Sequence, residues 1–149
     1  MITVKKKKRG FTFIELIVVV ALVAVLAGMT SFFYSNYYLK TAAQSADIQL
    51  TSELRKAQMY SMMDKQGSGW GVTLTGGNII LYDGNTYASR TPAFNEAYSV
   101  PAAVGISGFS EIDFARVTGL PQATATIVTS GDGSTHTIVV NAQGVVATH

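Results

Sequence analysis

Lys8-Arg9-Gly10-Phe11-Thr12-Phe13-Ile14-Glu15 leads into fourteen uninterrupted apolar residues, Leu16 to Met29, and no further charge appears until Lys40. Read from Phe11 to about Phe33, the segment is long enough to cross a bilayer as a helix, which takes roughly 20 residues at ~1.5 Å each. Upstream, Lys5, Lys6, Lys7, Lys8 and Arg9 form a basic run that holds this end in the cytoplasm and sends everything after the helix outward. The apolar run alone also has the length of a secretory signal core, and Val25-Leu26-Ala27 before Gly28 is a tolerable cleavage site. Glu15 argues against a disposable signal. A carboxylate inside an apolar segment costs roughly 2.5 to 3.5 kcal/mol on insertion scales, so such residues are functional by default and have a partner to be named.

The stretch from Lys8 to Leu16 resembles the class III signal of type IV pilins and type II secretion pseudopilins: a basic leader, a glycine, an aromatic, Thr and Glu in register before an apolar helix. The resemblance implies that a prepilin peptidase cuts between Gly10 and Phe11 and methylates the new amine on Phe11. It also implies that Glu15, four residues beyond that amine, serves assembly. Phe13 stands where the family usually has leucine. A charged amine in apolar surroundings needs a counter-charge, and a carboxylate one helical turn on can supply it to its own chain or to a neighbour. Pairing across subunits would set their stagger, since a partly buried ion pair selects register better than it stabilises.

Helical spacing continues past the apolar run. Ala43, Ala46, Leu50, Leu54, Ala57 and Ser61 recur every three or four residues while Asp47, Glu53 and Lys56 fall off that line, and no proline interrupts residues 11 to 64. From Gly67-Ser68-Gly69 onward the composition turns to β-formers. Trp70 to Thr75 and Asn78 to Tyr82 read as strands joined at Gly76-Gly77, Glu111 to Phe114 alternates, and Ala123 to Ser130 with Thr135 to Asn141 forms a hairpin around Gly131-Asp132-Gly133. Gly144 to Ala147 reads as a last short strand, and residues 84 to 103, with Pro92 and Pro101, as a long loop or short edge strands. The expected fold is α+β: a long N-terminal helix, membrane-spanning in its first half and amphipathic in its second, packed on an antiparallel β-sheet head. The expected organisation is a basic leader over 1–10, a transmembrane and filament-core helix over 11–39, and a pilin-like head over 40–149. Within the head, the amphipathic helix covers 40–64 and the sheet 70–147. Trp70, Ile112-Asp113-Phe114 before Gly119, and the Thr-rich hairpin ending in Ile138-Val139-Val140-Asn141 with Gly144-Val145-Val146 resemble the GspH/FimT-type minor pseudopilins.

The chain has 149 residues, the size of one domain, and no cysteine, which removes disulfides and any Cys-ligated zinc. Without residues 1–10, six cations (Lys40, Arg55, Lys56, Lys65, Arg90, Arg116) face nine anions, a balance that argues against a general nucleic-acid footprint. His136 and His149 have no companion set for catalysis, Asp132 reads as a turn residue, and Asp83-Gly84-Asn85 lacks the spaced ligands of a calcium loop. No enzyme, metal or cofactor is therefore expected. Tyr34, Tyr37 and Tyr38 read as interfacial aromatics and Trp70 as core. The resemblance implies a structural subunit of a type IV pilus or type II secretion pseudopilus, single-pass in the inner membrane with the head outside, and later in a filament in the periplasm or on the cell surface. Its partners would be prepilin peptidase, an inner-membrane assembly platform, other pilin or pseudopilin subunits, and membrane lipid before assembly. The alternatives are a DNA-uptake minor pilin with a DNA-binding head, and a secreted β-rich domain released from a cleaved signal.

Overall fold

The computed structural model describes residues 10–131 and 133–149, with the side chains of residues 29–36 outside that description. The leader before Gly10, the Tyr34 side chain and the turn residue Asp132 therefore lie outside that description. One helix, α1 (Phe13–Met62), is followed by eight strands: β1 (Trp70–Thr75), β2 (Asn78–Asp83), β3 (Glu96–Ser99), β4 (Gly105–Ser107), β5 (Glu111–Phe114), β6 (Ala125–Gly131), β7 (Ser134–Val140) and β8 (Val146–Thr148). The chain divides into two units at Tyr37/Tyr38, the second being Tyr38–His149.

All pairings are antiparallel, and the strands form two four-stranded sheets, β3-β2-β1-β5 and β4-β6-β7-β8, where a single sheet was expected. The chain passes from the first sheet to the second after β3, returns after β4, and leaves again after β5. The β1–β2 turn is the one the sequence announces. Gly76 and Gly77 both have positive φ (58° and 74°), the backbone that a two-residue hairpin loop with the right twist requires.

The second half of α1 serves both sheets. Its stripe of Ala43, Ala46, Leu50, Leu54, Ala57 and Ser61 is buried throughout, in one core with Trp70, Val72, Ile79, Leu81, Ile112 and Phe114 of the first sheet and Ile127, Ile138, Val140 and Val146 of the second. Ser61 joins three elements. Its hydroxyl shares one proton between the carbonyls of Ala57 (2.9 Å) and Phe114 (3.1 Å) and accepts from the Trp70 N–H (2.8 Å). On the other sheet, Gly131 approaches so closely that a Cβ there would stand 2.7 Å from the Ala43 Cβ, and the Thr129 hydroxyl reaches Asp47 at 3.4 Å. The helix ends at Met62, and Asp64, left-handed at φ 55°, is clamped by the guanidinium fork of Arg116.

Candidate functional site

The segment that the sequence singles out, Gly10 to Glu15, forms the start of α1. Thr12 precedes the first helical residue and Glu15 sits three positions on. The Glu15 carboxylate accepts from both the Thr12 N–H and the Thr12 hydroxyl, each at 3.4 Å, and the Leu16 N–H bonds the Thr12 carbonyl at 3.2 Å. This is half of a capping box. The four N–H groups that open a helix have no partner inside it, and a glutamate at the third position satisfies the one at the cap. The carboxylate also complements the positive end of the helix dipole. Thr12-x-x-Glu15 has the sequence spacing of such a cap. Gly10, Phe11 and Glu15 are thus brought together at one exposed end, with Phe11 82% exposed and nothing within 4 Å of a Cβ built on Gly10.

From Phe13 to Leu26 the large apolar side chains of α1 are all exposed, on every face of the helix. Among the described residues no helix is long and apolar enough to cross a membrane. The segment expected to cross runs to about Phe33 and so takes in residues 29–33, whose side chains lie outside the description. Tyr37 and Tyr38 are exposed.

Residues weighed for other chemistry fall into structural places. Trp70 is core, with its indole N–H on the Lys65 carbonyl (3.0 Å) and its ring edge-on to Tyr60 at 4.9 Å. His136 lies on β7 opposite Thr129, and His149 is exposed at the chain end. Among the described residues no group of His, Asp and Glu could hold a metal ion. Five of the head's six cations contact groups of the head itself. Arg55 bonds the Val146 carbonyl, Lys56 pairs with Glu96 and Glu53, Lys65 lies over the Tyr60 ring, Arg90 over the Tyr87 ring, and Arg116 on Asp64.

One buried titratable pair escaped the sequence reading. Tyr82, Gly71 and Asp113 stand in a row across β2, β1 and β5. With no side chain on Gly71, the Tyr82 ring crosses it and donates its hydroxyl to Asp113. Burial pushes the Asp113 carboxyl up to about 6, against the lowering effect of the Tyr82 hydrogen bond and with help from the charge of Glu111. Burial likewise raises the Tyr82 hydroxyl, with its bond to Asp113 adding to the shift. The folded chain then binds this proton more tightly than the unfolded chain does. Stability should therefore rise as pH falls from 7 through 6, by about 1 to 3 kcal/mol down to pH 4.5. Urea midpoints of the full chain in detergent, at pH 7 and 4.5, measure it, and Asp113→Asn should remove most of the rise. A wild-type midpoint that falls over that range would overturn this reading.

Residues 5–31 match the prokaryotic N-terminal methylation motif, the class III prepilin signal, which is consistent with a type IV pilin-like or pseudopilin chain and supports its being a prepilin-peptidase substrate. The match ends before the head begins. No curated protein and no solved structure matches the chain.

Proposed function

We infer that this chain is a structural subunit, a minor pilin or pseudopilin of a type IV pilus or type II secretion pseudopilus, and not an enzyme. Prepilin peptidase cuts it between Gly10 and Phe11 and methylates the Phe11 amine. The carrying observation is the match over residues 5–31, a span that contains Gly10, Phe11 and Glu15. Before cleavage Glu15 caps the helix through Thr12; afterwards Phe11 supplies a charged amine one turn away, and the same carboxylate is the counter-charge nearest in sequence. The apolar surface of α1 holds the subunit in the inner membrane, N-terminus inside. Extraction by an assembly platform then exchanges lipid for the α1 helices of neighbouring subunits, one apolar environment for another.

The GspH/FimT-type reading draws support from the head. Trp70 opens β1, Ile112-Asp113-Phe114 forms β5 with Gly119 in the turn that follows, and the Thr-rich segment is the β6–β7 hairpin. A DNA-binding role is the second reading, and the engagement of Lys56, Lys65, Arg90 and Arg116 by the head's own groups weighs against it, because phosphate contacts need free cations.

Intact-mass measurement of the membrane-extracted protein tests the assignment. The expected chain starts at Phe11 and carries one methyl group on its amine. A chain starting at Gly28 would overturn the assignment and point to a secreted domain.

A further inference from the structure

Between α1 and β8 the head carries a groove of about 360 Å³, lined by Asp47, Ile48, Thr51, Ser52, Arg55 and Thr148. Its polar groups are incompletely used. Thr51 is 7% exposed, yet its Oγ1 has no hydrogen-bond partner. Asp47 is equally buried, with the long bond from Thr129 on one of its oxygens. Arg55 bonds the Val146 carbonyl at 3.0 Å, and its other N–H groups have no protein partner among the described residues.

The wall opposite α1 is a free sheet edge. Thr137 and His149 exchange both backbone hydrogen bonds (3.1 and 2.8 Å), and Asn141 N–H bonds the Val145 carbonyl. In an antiparallel ladder inward and outward groups alternate, so Val146 and Thr148 turn their backbone groups away from β7. Arg55 meets the Val146 carbonyl. The Val146 N–H and both groups of Thr148 remain for a further strand, the arrangement by which sheet edges take up extended peptides.

We propose that this groove binds an extended peptide segment of a different polypeptide, laid antiparallel to β8, with a basic side chain at Asp47 and an acidic one at Arg55. Asp47 and Arg55 are eight residues apart on α1, ~12 Å along the axis. In a strand rising ~3.3 Å per residue, side chains four apart share a face and span ~13 Å. Val146 lies at the Arg55 end and Thr148 lines the groove together with Asp47, so an antiparallel strand enters at Asp47 and leaves at Arg55. The recognised pattern is therefore Lys or Arg followed, four residues later, by Asp or Glu. Nowhere in this chain does a Lys or Arg precede an Asp or Glu by four, so a second copy does not supply the segment. This site belongs to the head alone and does not rest on the assembly reading.

The test uses the full chain in detergent and two end-blocked peptides, Lys-Thr-Val-Thr-Glu and its reversal Glu-Thr-Val-Thr-Lys, followed by amide NMR shifts. The first should shift Val146, Thr148 and the 47–55 turns of α1 saturably, and the reversal should bind about ten-fold more weakly. Arg55→Gln, which alters an exposed side chain, should erase that preference while leaving the spectrum folded. Equal binding of the two peptides, shifts elsewhere in the head, or none at millimolar peptide would overturn the proposal.

Discussion

Glu15→Gln subunits are expected to insert into the membrane and to be cut before Phe11, yet to be depleted from filaments by on the order of 100-fold. The structure makes glutamine the informative replacement. In the precursor Glu15 accepts from the Thr12 N–H and hydroxyl, and glutamine fills that role in capping boxes as well as glutamate does. Gln therefore keeps the helix start and removes only the charge. Insertion should not suffer, because an ionised carboxylate in an apolar helix costs roughly 2.5 to 3.5 kcal/mol that the variant avoids. Assembly should suffer, because leaving the Phe11 amine without its counter-charge in the filament core costs about 3 to 5 kcal/mol. Glu15→Val loses cap and charge together and should behave the same way. Quantifying subunits in sheared filaments against those in the membrane decides it. If Gln subunits enter filaments at the wild-type level while Val subunits do not, Glu15 is a cap and nothing more.

The second large effect concerns where the head begins. A chain of residues 40–149 should be a soluble monomer with a cooperative melt, whereas one starting at Gly67 should aggregate. The longer form keeps Ala43, Ala46, Leu50, Leu54, Ala57 and Ser61, all buried against the two sheets. Losing a buried leucine costs about 2 to 5 kcal/mol, so losing Leu50 and Leu54 together consumes much of the 5 to 15 kcal/mol that stabilises a domain. Removing Ser61 also strands the Trp70 N–H and the Phe114 carbonyl, which it joins at 2.8 and 3.1 Å. The shorter form exposes the inner faces of both sheets as one apolar surface. Size-exclusion profiles and thermal melts of the two forms measure this. Identical behaviour would mean that α1 is no part of the head's core.

Much of this was legible because single residues carry strong local signals. The three-and-four spacing from Ala43 to Ser61 foretold a stripe that is buried in full. Gly76-Gly77 foretold the hairpin, since both positions need a left-handed backbone. What stayed hidden depends on contacts between distant strands. β4 is three residues, Gly105-Ile106-Ser107, too short for alternation to register, and it exists because β6 pairs with it. β3 is exposed along its whole length and carries no core pattern. Without those two strands the sequence could not show that the strands sort into two sheets. At the candidate site, Gly10, Phe11 and Glu15 are neighbours in sequence, so one short motif carries the whole expectation. Asp113 became notable only once Gly71 opened a path for Tyr82 across an intervening strand.

The route of the chain between the sheets has a consequence for how the head can be taken apart. Because it alternates at β3, β4, β5 and β6, no cut yields one complete sheet on a contiguous fragment without strands of the other. A nick between β4 and β5 leaves β1 to β4 with α1 on one piece and β5 to β8 on the other, each piece short of partners for both sheets. The head is in this respect a woven article rather than two stacked plates. Neither sheet can be lost or inherited as one contiguous module without taking a strand of the other.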